Sequence, residues 1–213
     1  MVRIYGFNGK SFNIFKVLLT AEELGVEYEF IGLNPMAGEH KSPEHMKRHP
    51  LGKVPAIEHD GRYLYESNAI CKYLCGLKGN KLYSADLWEK ALIDQWCDNV
   101  AFHAGRWLGT VFFEEIIKPM KMKKPADAAA LKEAKGFLEN QIPVIDQRLS
   151  ASEFLAGKDY TVADVIAFSY FNGAEGTSVD FSSFSHLMTW YETIKAREAY
   201  EKANRNFPES AAK

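Results

Sequence analysis

The sequence lacks an excess of charge of either sign. It carries 26 Lys and Arg against 28 Asp and Glu, for a formal net charge of −2. Nucleic-acid-binding domains depend on a basic surface, so we expect no nucleic-acid partner. Hydrophobic residues make up 46% of the 213 positions, which is ordinary for a globular protein and fits one large or two small domains.

Cysteine and long apolar runs are also scarce. The three cysteines are too few and odd in number for a disulfide framework, which predicts reduced thiols in a cytoplasmic protein. No run reaches the roughly 20 apolar residues of a membrane-spanning helix. The opening residues MVRIYGFNGK lack the apolar core and cleavage site of a secretory signal. We therefore expect no membrane association.

Metal ligands occur in no standard arrangement. His45 and His49 are four residues apart and His40 is nearby, but no acidic third ligand accompanies them. There is neither a Cys pair with zinc spacing nor an HExxH motif. The sequence therefore predicts no metal site.

The first 76 residues carry alternating strand and helix patterns. Residues 1–5 and 26–30 alternate with a period of two, and Asp60-Gly61 lies between two short strand-like runs as in a hairpin. An apolar stripe over 14–21 predicts a helix between the first two strands. The resulting order, β-α-β followed by β-β-α, predicts a small mixed α/β sheet with helices on its faces.

After this point every strongly periodic segment is helical. We predict an α/β domain over 1–76, a Gly- and Lys-rich linker over 77–85 and an all-helical domain over 86–213. Pro143 interrupts one long helical pattern and predicts a kink or a split there. The tail after Phe207 is expected to be frayed.

Pro55 falls in a strand pattern, although a proline cannot donate to a strand ladder. A cis bond here would leave the Val54 N–H and C=O free to pair with a ligand that has its own peptide bonds. A trans proline on an edge strand is the commoner alternative, because cis bonds are a small minority.

Glu66 and Ser67 directly precede an apolar helix. The N–H groups and partial positive charge of a helix N-terminus can hold a carboxylate, and Glu66 can accept from a ligand ammonium group. Simple helix capping is the alternative. Lys41 could neutralise a second ligand carboxylate, with a solvated loop charge as the alternative.

Ser11 lies where the first loop meets the first helix. A hydroxyl beside a helix N-terminus can stabilise an anion such as a thiolate, and the same serine can serve as an N-cap. No Gly-x-Ser-x-Gly motif surrounds it, so a hydrolase nucleophile is not predicted. Tyr5 supplies a competing hydroxyl. Thr161 and Asp164 predict a capping box of structural importance.

Together these segments resemble a cytosolic glutathione transferase. The resemblance covers nearly the whole chain, and the HKSP segment with the serine is most similar to the phi class and related bacterial and fungal forms. The residues that carry it are Ser11 with Asn13, the segments GEHKSP and PLGKVPA, Tyr65-Glu66-Ser67, and FLAG followed by YTVAD.

The resemblance implies a thioredoxin-like first domain with a cis Pro55, followed by an all-α domain. It implies that Ser11 holds the glutathione sulfur as a thiolate and that Val54 pairs its backbone with the cysteinyl unit. The ends of glutathione are implied to lie at Glu66 and Ser67 for the γ-glutamyl group, and at His40, Lys41 and Lys53 for the glycyl carboxylate.

The second substrate implied by the resemblance is a small hydrophobic electrophile in a pocket lined by the helical domain. Aromatic and basic side chains are the candidates for this pocket, and bundle core is the alternative for each of them. The candidates are Met36, Phe102, Arg106, Trp107 and Phe113.

The implied activity is conjugation of glutathione, with glutathione peroxidase as a side activity. Glutathione is then a co-substrate, no cofactor is permanently bound, and the protein is a homodimer. Two alternatives remain: a non-enzymatic binding or scaffold protein of the same fold, and a glutathione-dependent isomerase or dehalogenase. The presence of Ser11, Glu66 and Ser67 together favours the transferase. A cysteine in place of Ser11 would instead favour thiol–disulfide exchange.

Overall fold

A computed structural model describes residues 1–9 and 11–205, so the expected frayed tail lies outside the described residues. The chain divides into two compact units. One unit contains Met1–Ser84 and the segment that begins at Arg197, and the other is Ala85–Ala196.

The first unit is built on a four-stranded mixed sheet, as the sequence predicts. β1 pairs parallel with β2 and antiparallel with β3, and β3 pairs antiparallel with β4, in the order β2-β1-β3-β4. Asp60 and Gly61 both have positive φ in the β3–β4 turn, which confirms the predicted hairpin. The strands are β1 Val2–Phe7, β2 Tyr28–Leu33, β3 Ala56–His59 and β4 Arg62–Tyr65.

Three helices of this unit follow the apolar patterns of the sequence. α1 begins after its N-cap Ser11 and ends at Gly25, whose φ of 60° closes the helix. One 3₁₀ turn, Glu39–Lys41, precedes α2. Wholly buried residues such as Ile4, Ile14 and Ile57 form the core between sheet and helices. The helices are α1 Phe12–Leu24, α2 Pro43–Arg48 and α3 Ser67–Leu77.

The second unit is helical throughout its described regular elements. α7 lies at its centre, because every residue from Val162 to Phe171 is buried. A π-helical segment, Phe113–Met122, follows α5. Of the described helices in either unit, none is long and apolar enough to cross a membrane. The helices are α4 Leu87–Phe102, α5 Ala104–Phe112, α6 Ala128–Ala151, α7 Val162–Gly173 and α8 Ser185–Lys195.

The predicted capping box at the start of α7 is confirmed. Asp164 Oδ2 accepts from the Thr161 N–H at 2.9 Å and from its hydroxyl at 3.0 Å. Its Oδ1 accepts from the Leu155 N–H at 2.9 Å and from the Trp190 indole at 3.0 Å. Asp164 is fully buried. This one carboxylate therefore also fixes the preceding turn and α8.

Pro143 does not split α6, so the predicted split is wrong, whereas the alternative of a kink stays a prediction. The helix runs continuously from Ala128 to Ala151 with the proline inside it. A proline removes one backbone hydrogen bond from a helix. The neighbouring Ile142 and Ile145 are buried and hold both halves of the helix in the bundle.

The last described helix packs with the first unit, whereas the sequence assigned all of 86–213 to the helical domain. α9, Glu198–Arg205, buries Ala199 and Ala203, whose small side chains allow close approach to α1. Just before it, the Arg197 guanidinium makes two hydrogen bonds to the Glu23 carboxylate, at 2.6 and 2.8 Å.

All three cysteines are free thiols and buried. Burial raises the pKa of Cys71 to about 11 and that of Cys75 to about 12. The nucleophilic form of cysteine is the thiolate, so these two side chains are inert packing groups at neutral pH.

Candidate active site

Ser11 is placed to donate its hydroxyl hydrogen to an anion. Its Oγ lies 3.4 Å from the Ile14 nitrogen, a long N-cap hydrogen bond in which Oγ is the acceptor. Within the described residues the hydroxyl hydrogen itself has no acceptor. Ser11 is half-buried, and the partial positive charge of the α1 N-terminus lies beside it.

The competing hydroxyl of Tyr5 is already engaged. Tyr5 is 4% exposed and donates to Glu58 Oε2 at 2.8 Å. The Arg48 guanidinium lies 4.2 Å above its ring. Burial, reinforced by the hydrogen bond to Glu58, raises the pKa of Tyr5. Of the two hydroxyls, the geometry therefore favours Ser11 as a donor to a ligand.

The N-termini of α1 and α3 are joined by side-chain hydrogen bonds. The Ser67 hydroxyl donates to Asn13 Oδ1 at 3.2 Å. One turn into α1, the buried Lys16 donates from Nζ to Asn68 Oδ1 at 3.1 Å. These contacts hold the two helix starts, and with them Ser11 and Ser67, in one region of the first unit.

Glu66 does not cap α3 with its side chain, so the capping interpretation fails for this residue. It occupies the N-cap position with φ 69° and ψ 107°, and its carboxylate makes no cap hydrogen bond. Such a backbone conformation costs a non-glycine residue on the order of 1–3 kcal/mol. The side chain is exposed, and among the described residues it has no hydrogen-bond partner. Its carboxylate is therefore available to a ligand.

The Val54-Pro55 peptide bond is cis, as the resemblance implies. Pairing of β3 with β1 begins only at Ala56. As a result, neither the Val54 N–H nor its C=O is hydrogen-bonded to another described residue. These two groups form a short free edge for a ligand with peptide groups of its own.

Leu51 and Gly52, which precede the cis bond, contact the 3₁₀ turn that contains His40 and Lys41. Lys41 Nζ donates to the Leu51 C=O at 2.8 Å. Gly52 has φ 55°, and a Cβ added there would lie 2.6 Å from the His40 carbonyl oxygen, so only glycine fits. Lys53 follows and is exposed. The segment that ends at Lys53 thus contacts both His40 and Lys41, the other two predicted glycyl-end residues.

Two buried histidines, for which the sequence suggests only metal ligation, bond to the backbone of this segment. His45 Nε2 lies 2.9 Å from the Lys53 carbonyl oxygen. His49 Nδ1 accepts from the Leu51 N–H at 3.3 Å, and its ring packs on Tyr65 with 4.7 Å between centroids. Within the described part of the chain, no three potential ligands come together to hold a metal. The four-residue spacing of His45 and His49 gave no sign that they bond the Lys53 carbonyl and the Leu51 N–H.

The candidate residues for a second substrate differ in exposure. In the helical unit, Phe102, Arg106 and Phe113 are exposed. Trp107 is buried and stacks parallel to Phe137 at 4.4 Å between ring centroids, which favours the core interpretation for that residue. In the first unit, Met36 is 79% exposed.

Comparison with known proteins identifies the family. Two models of the glutathione S-transferase family match, the N-terminal domain over residues 2–75 and the C-terminal domain over residues 110–198. The chain belongs to the glutathione S-transferase family. Probable glutathione S-transferases GSTF1 and GSTF2 of Oryza sativa are 35% and 32% identical to it, and each alignment covers 94% of both chains.

Solved glutathione transferases share the fold. Glutathione transferase F2 from Populus trichocarpa is 30% identical, with a TM-score of 0.91 over 97% of this chain and 99% of its own. Glutathione S-transferase I from maize, in complex with an atrazine glutathione conjugate, is also 30% identical, with a TM-score of 0.90 over 99% of both chains. The predicted resemblance to the phi class and the predicted fold class are confirmed. The chain is a glutathione transferase that uses glutathione as co-substrate.

Proposed function

We propose that this glutathione transferase conjugates the glutathione thiolate to small hydrophobic electrophiles, as a cytoplasmic homodimer with a detoxifying role. The observation that carries this proposal is the free donor at Ser11 in the same unit as the unpaired Val54 backbone. The exposed, strained Glu66 at the start of α3 supports it further. A thiolate would use this donor, whereas a scaffold protein does not require it.

Ser11 activates the thiol in this proposal. A free thiol has a pKa of about 8.5 and is mostly protonated at neutral pH, whereas the thiolate is the nucleophile. A hydrogen bond from the Ser11 hydroxyl and the field of the α1 N-terminus both favour the thiolate. Lowering the thiol pKa by about 2 units requires about 2.7 kcal/mol of differential stabilisation, within reach of these two effects.

The rest of glutathione is held along the first unit. The Val54 N–H and C=O pair with the cysteinyl unit. Glu66 accepts from the γ-glutamyl ammonium, while Ser67 and the α3 N-terminus hold the γ-glutamyl carboxylate. The side chains of His40, Lys41 and Lys53 surround the glycyl carboxylate at the other end. The ammonium and the two carboxylates of the ligand thus each meet a complementary group.

The electrophile binds against the helical unit. Exposed Phe102, Arg106 and Phe113 are our proposed contacts in that unit, and Trp107 supports them from the core. The maize relative with a bound atrazine glutathione conjugate supports an aromatic electrophile as the substrate class. Reduction of organic hydroperoxides by the same thiolate is a proposed side activity.

The test compares wild type with Ser11→Ala. We expect wild type to bind glutathione, to show thiolate ultraviolet absorbance at neutral pH, and to conjugate an activated aryl halide. Glutathione binding with neither absorbance nor conjugation would establish the scaffold alternative instead. Turnover of a haloalkanoate or a maleyl compound with no turnover of any aryl halide would assign the chain to the dehalogenases or isomerases.

Self-association is proposed from the exposed apolar side chains. Leu87 and Trp88, at the start of α4, are 84% and 74% exposed, and Tyr65 and Tyr73 of the first unit are also exposed. Neighbouring exposed apolar side chains that form a contiguous patch are typical of a protein contact. Sedimentation should give twice the 24.1 kDa chain mass. Leu87→Ser with Trp88→Ser should shift the mass towards that of the single chain.

A further inference from the structure

The peptide group that joins Lys53 to Val54 has two polar atoms with different partners. Its carbonyl oxygen, on Lys53, lies 2.9 Å from His45 Nε2. Its N–H, on Val54, has no partner among the described residues. This peptide bond is trans, so the C=O and the N–H lie in one plane and point in opposite directions. A contact that fixes the carbonyl therefore also fixes the direction of the N–H.

His45 is well suited to fix that carbonyl. His45 is 1% exposed, and its backbone N–H donates to Ser42 Oγ, which caps α2. A carbonyl oxygen can only accept a hydrogen bond, so His45 Nε2 carries the hydrogen. The other ring nitrogen, Nδ1, is buried and has no hydrogen-bond partner among the described atoms. A buried polar atom without a partner disfavours folding, so stability alone does not explain a histidine here.

The neighbouring contacts hold the same segment at other points. Lys41 Nζ binds the Leu51 carbonyl, and Gly52 lies against the His40 carbonyl. His49 accepts from the Leu51 N–H. Each of these acts one to three peptide groups before the one shared with Val54. Of the contacts described, the one from His45 alone acts on the peptide group that presents the Val54 N–H.

We infer that His45 is a positioning residue for glutathione, which aims the Val54 N–H at the cysteinyl backbone of the tripeptide. This inference rests on the proposed binding of glutathione at Val54. His45 itself does not touch the ligand or the sulfur. Loss of its donor should therefore weaken glutathione binding and raise KM for glutathione. The pKa of the bound thiol and kcat at saturating glutathione should stay close to wild type.

The test compares three substitutions that differ in where a donor is placed. In His45→Gln the amide nitrogen can reach the position of Nε2, so the bond to the Lys53 carbonyl is kept. In His45→Asn the amide nitrogen corresponds to Nδ1, so a polar group remains without that bond. His45→Leu removes both nitrogens. His49→Leu is the matched control, since this histidine is equally buried one turn later but bonds the Leu51 N–H instead.

We expect calorimetry with S-methylglutathione to give a Kd about 10-fold higher for His45→Asn and His45→Leu, equivalent to about 1.4 kcal/mol. His45→Gln should stay within about 3-fold of wild type, as one retained hydrogen bond predicts. The amide resonance of Val54 should shift in His45→Asn and His45→Leu but not in His45→Gln. If His45→Leu does not fold, as judged by its melting transition, the Gln and Asn pair decides the result.

Equal losses in His45→Gln and His45→Asn would overturn the inference, because the donor would then be irrelevant. An equal loss in His49→Leu would also overturn it, since general packing of the segment would account for the effect. The proposed function is judged separately, on wild type alone. Wild type that neither binds S-methylglutathione nor conjugates glutathione would overturn that proposal, and the inference with it.

Discussion

The Tyr5 hydroxyl donates to the Glu58 carboxylate over 2.8 Å, within the sheet. Arg3 Nη1 lies 3.3 Å from the other oxygen of the same carboxylate. Tyr5 is therefore part of a polar group that holds β1 to β3, although its position near Ser11 in the sequence makes it a candidate activator. The engaged hydroxyl of Tyr5 and the available hydroxyl of Ser11 make a matched pair for mutagenesis.

Ser11→Ala should lower kcat/KM for conjugation of an aryl halide by about 10²-fold, the effect of removing one donor to a developing or stabilised anion. The pKa of bound glutathione, measured by thiolate absorbance, should rise towards about 8.5. Tyr5→Phe is the control and should leave both quantities near wild type while lowering the melting temperature. The opposite pattern, with activity lost in Tyr5→Phe, would transfer the activating role to Tyr5.

Glu66 should show opposite effects on stability and binding. Glu66→Gly relieves the positive φ and should stabilise the protein by about 1 kcal/mol, after allowance for the greater entropy of unfolded glycine. It also removes the carboxylate, so Kd for glutathione should rise about 10-fold. Glu66→Gln keeps the strained backbone and removes only the charge. It should weaken binding without raising the melting temperature. Unchanged binding in both variants would contradict the proposed contact with the ligand ammonium.

Stability should fall in mild acid because of His49. Burial lowers the pKa of His49 below its ordinary value of 6.5. The unfolded chain then binds a proton more readily than the folded protein, so stability is fully present above about pH 6.5 and declines as the pH falls towards the folded pKa. Protonation at Nδ1 would also break the bond from the Leu51 N–H.

Urea unfolding of wild type between pH 7 and pH 5 checks this expectation. His49→Gln should flatten the decline, since its amide does not titrate. His103→Gln, at an exposed histidine, serves as the control and should retain the wild-type slope. Parallel declines in wild type and His49→Gln would exclude His49 as the source.

Asp164 should be among the most sensitive positions for folding. It accepts four hydrogen bonds from three segments and is fully buried. Asp164→Ala should lower the free energy of unfolding by about 3–5 kcal/mol, because several buried donors lose the carboxylate that accepts from them. Asp164→Asn keeps an oxygen for the Leu155 N–H and the Trp190 indole and should lose less. Glutathione affinity per folded molecule should not change in either variant.

The sequence predicted those features whose cause is local. Asp60-Gly61 specifies its turn because both residues tolerate positive φ, and Thr161 with Asp164 specifies a capping box through bonds three residues apart. Val54-Pro55 is different. Its cis bond was expected through the resemblance to a family, since a proline alone favours trans.

Features set by distant partners were not predictable in the same way. The helix continues through Pro143 because its buried neighbours in the bundle outweigh one lost hydrogen bond. The partner of His45 is a backbone carbonyl, which leaves no trace in residue identity. The packing of α9 on α1 is accompanied by the pairing of Arg197 with Glu23, far apart in the chain. Such pairings follow from the fold and not from any local pattern.

The contact between α9 and α1 has a consequence for protein synthesis. The sheet and its first helices leave the ribosome early, but the segment that covers α1 is made only after the entire helical unit. Until then, the face of α1 that receives Ala199 and Ala203 is exposed to water and to other nascent chains. The first unit is therefore begun before the helical unit and completed after it.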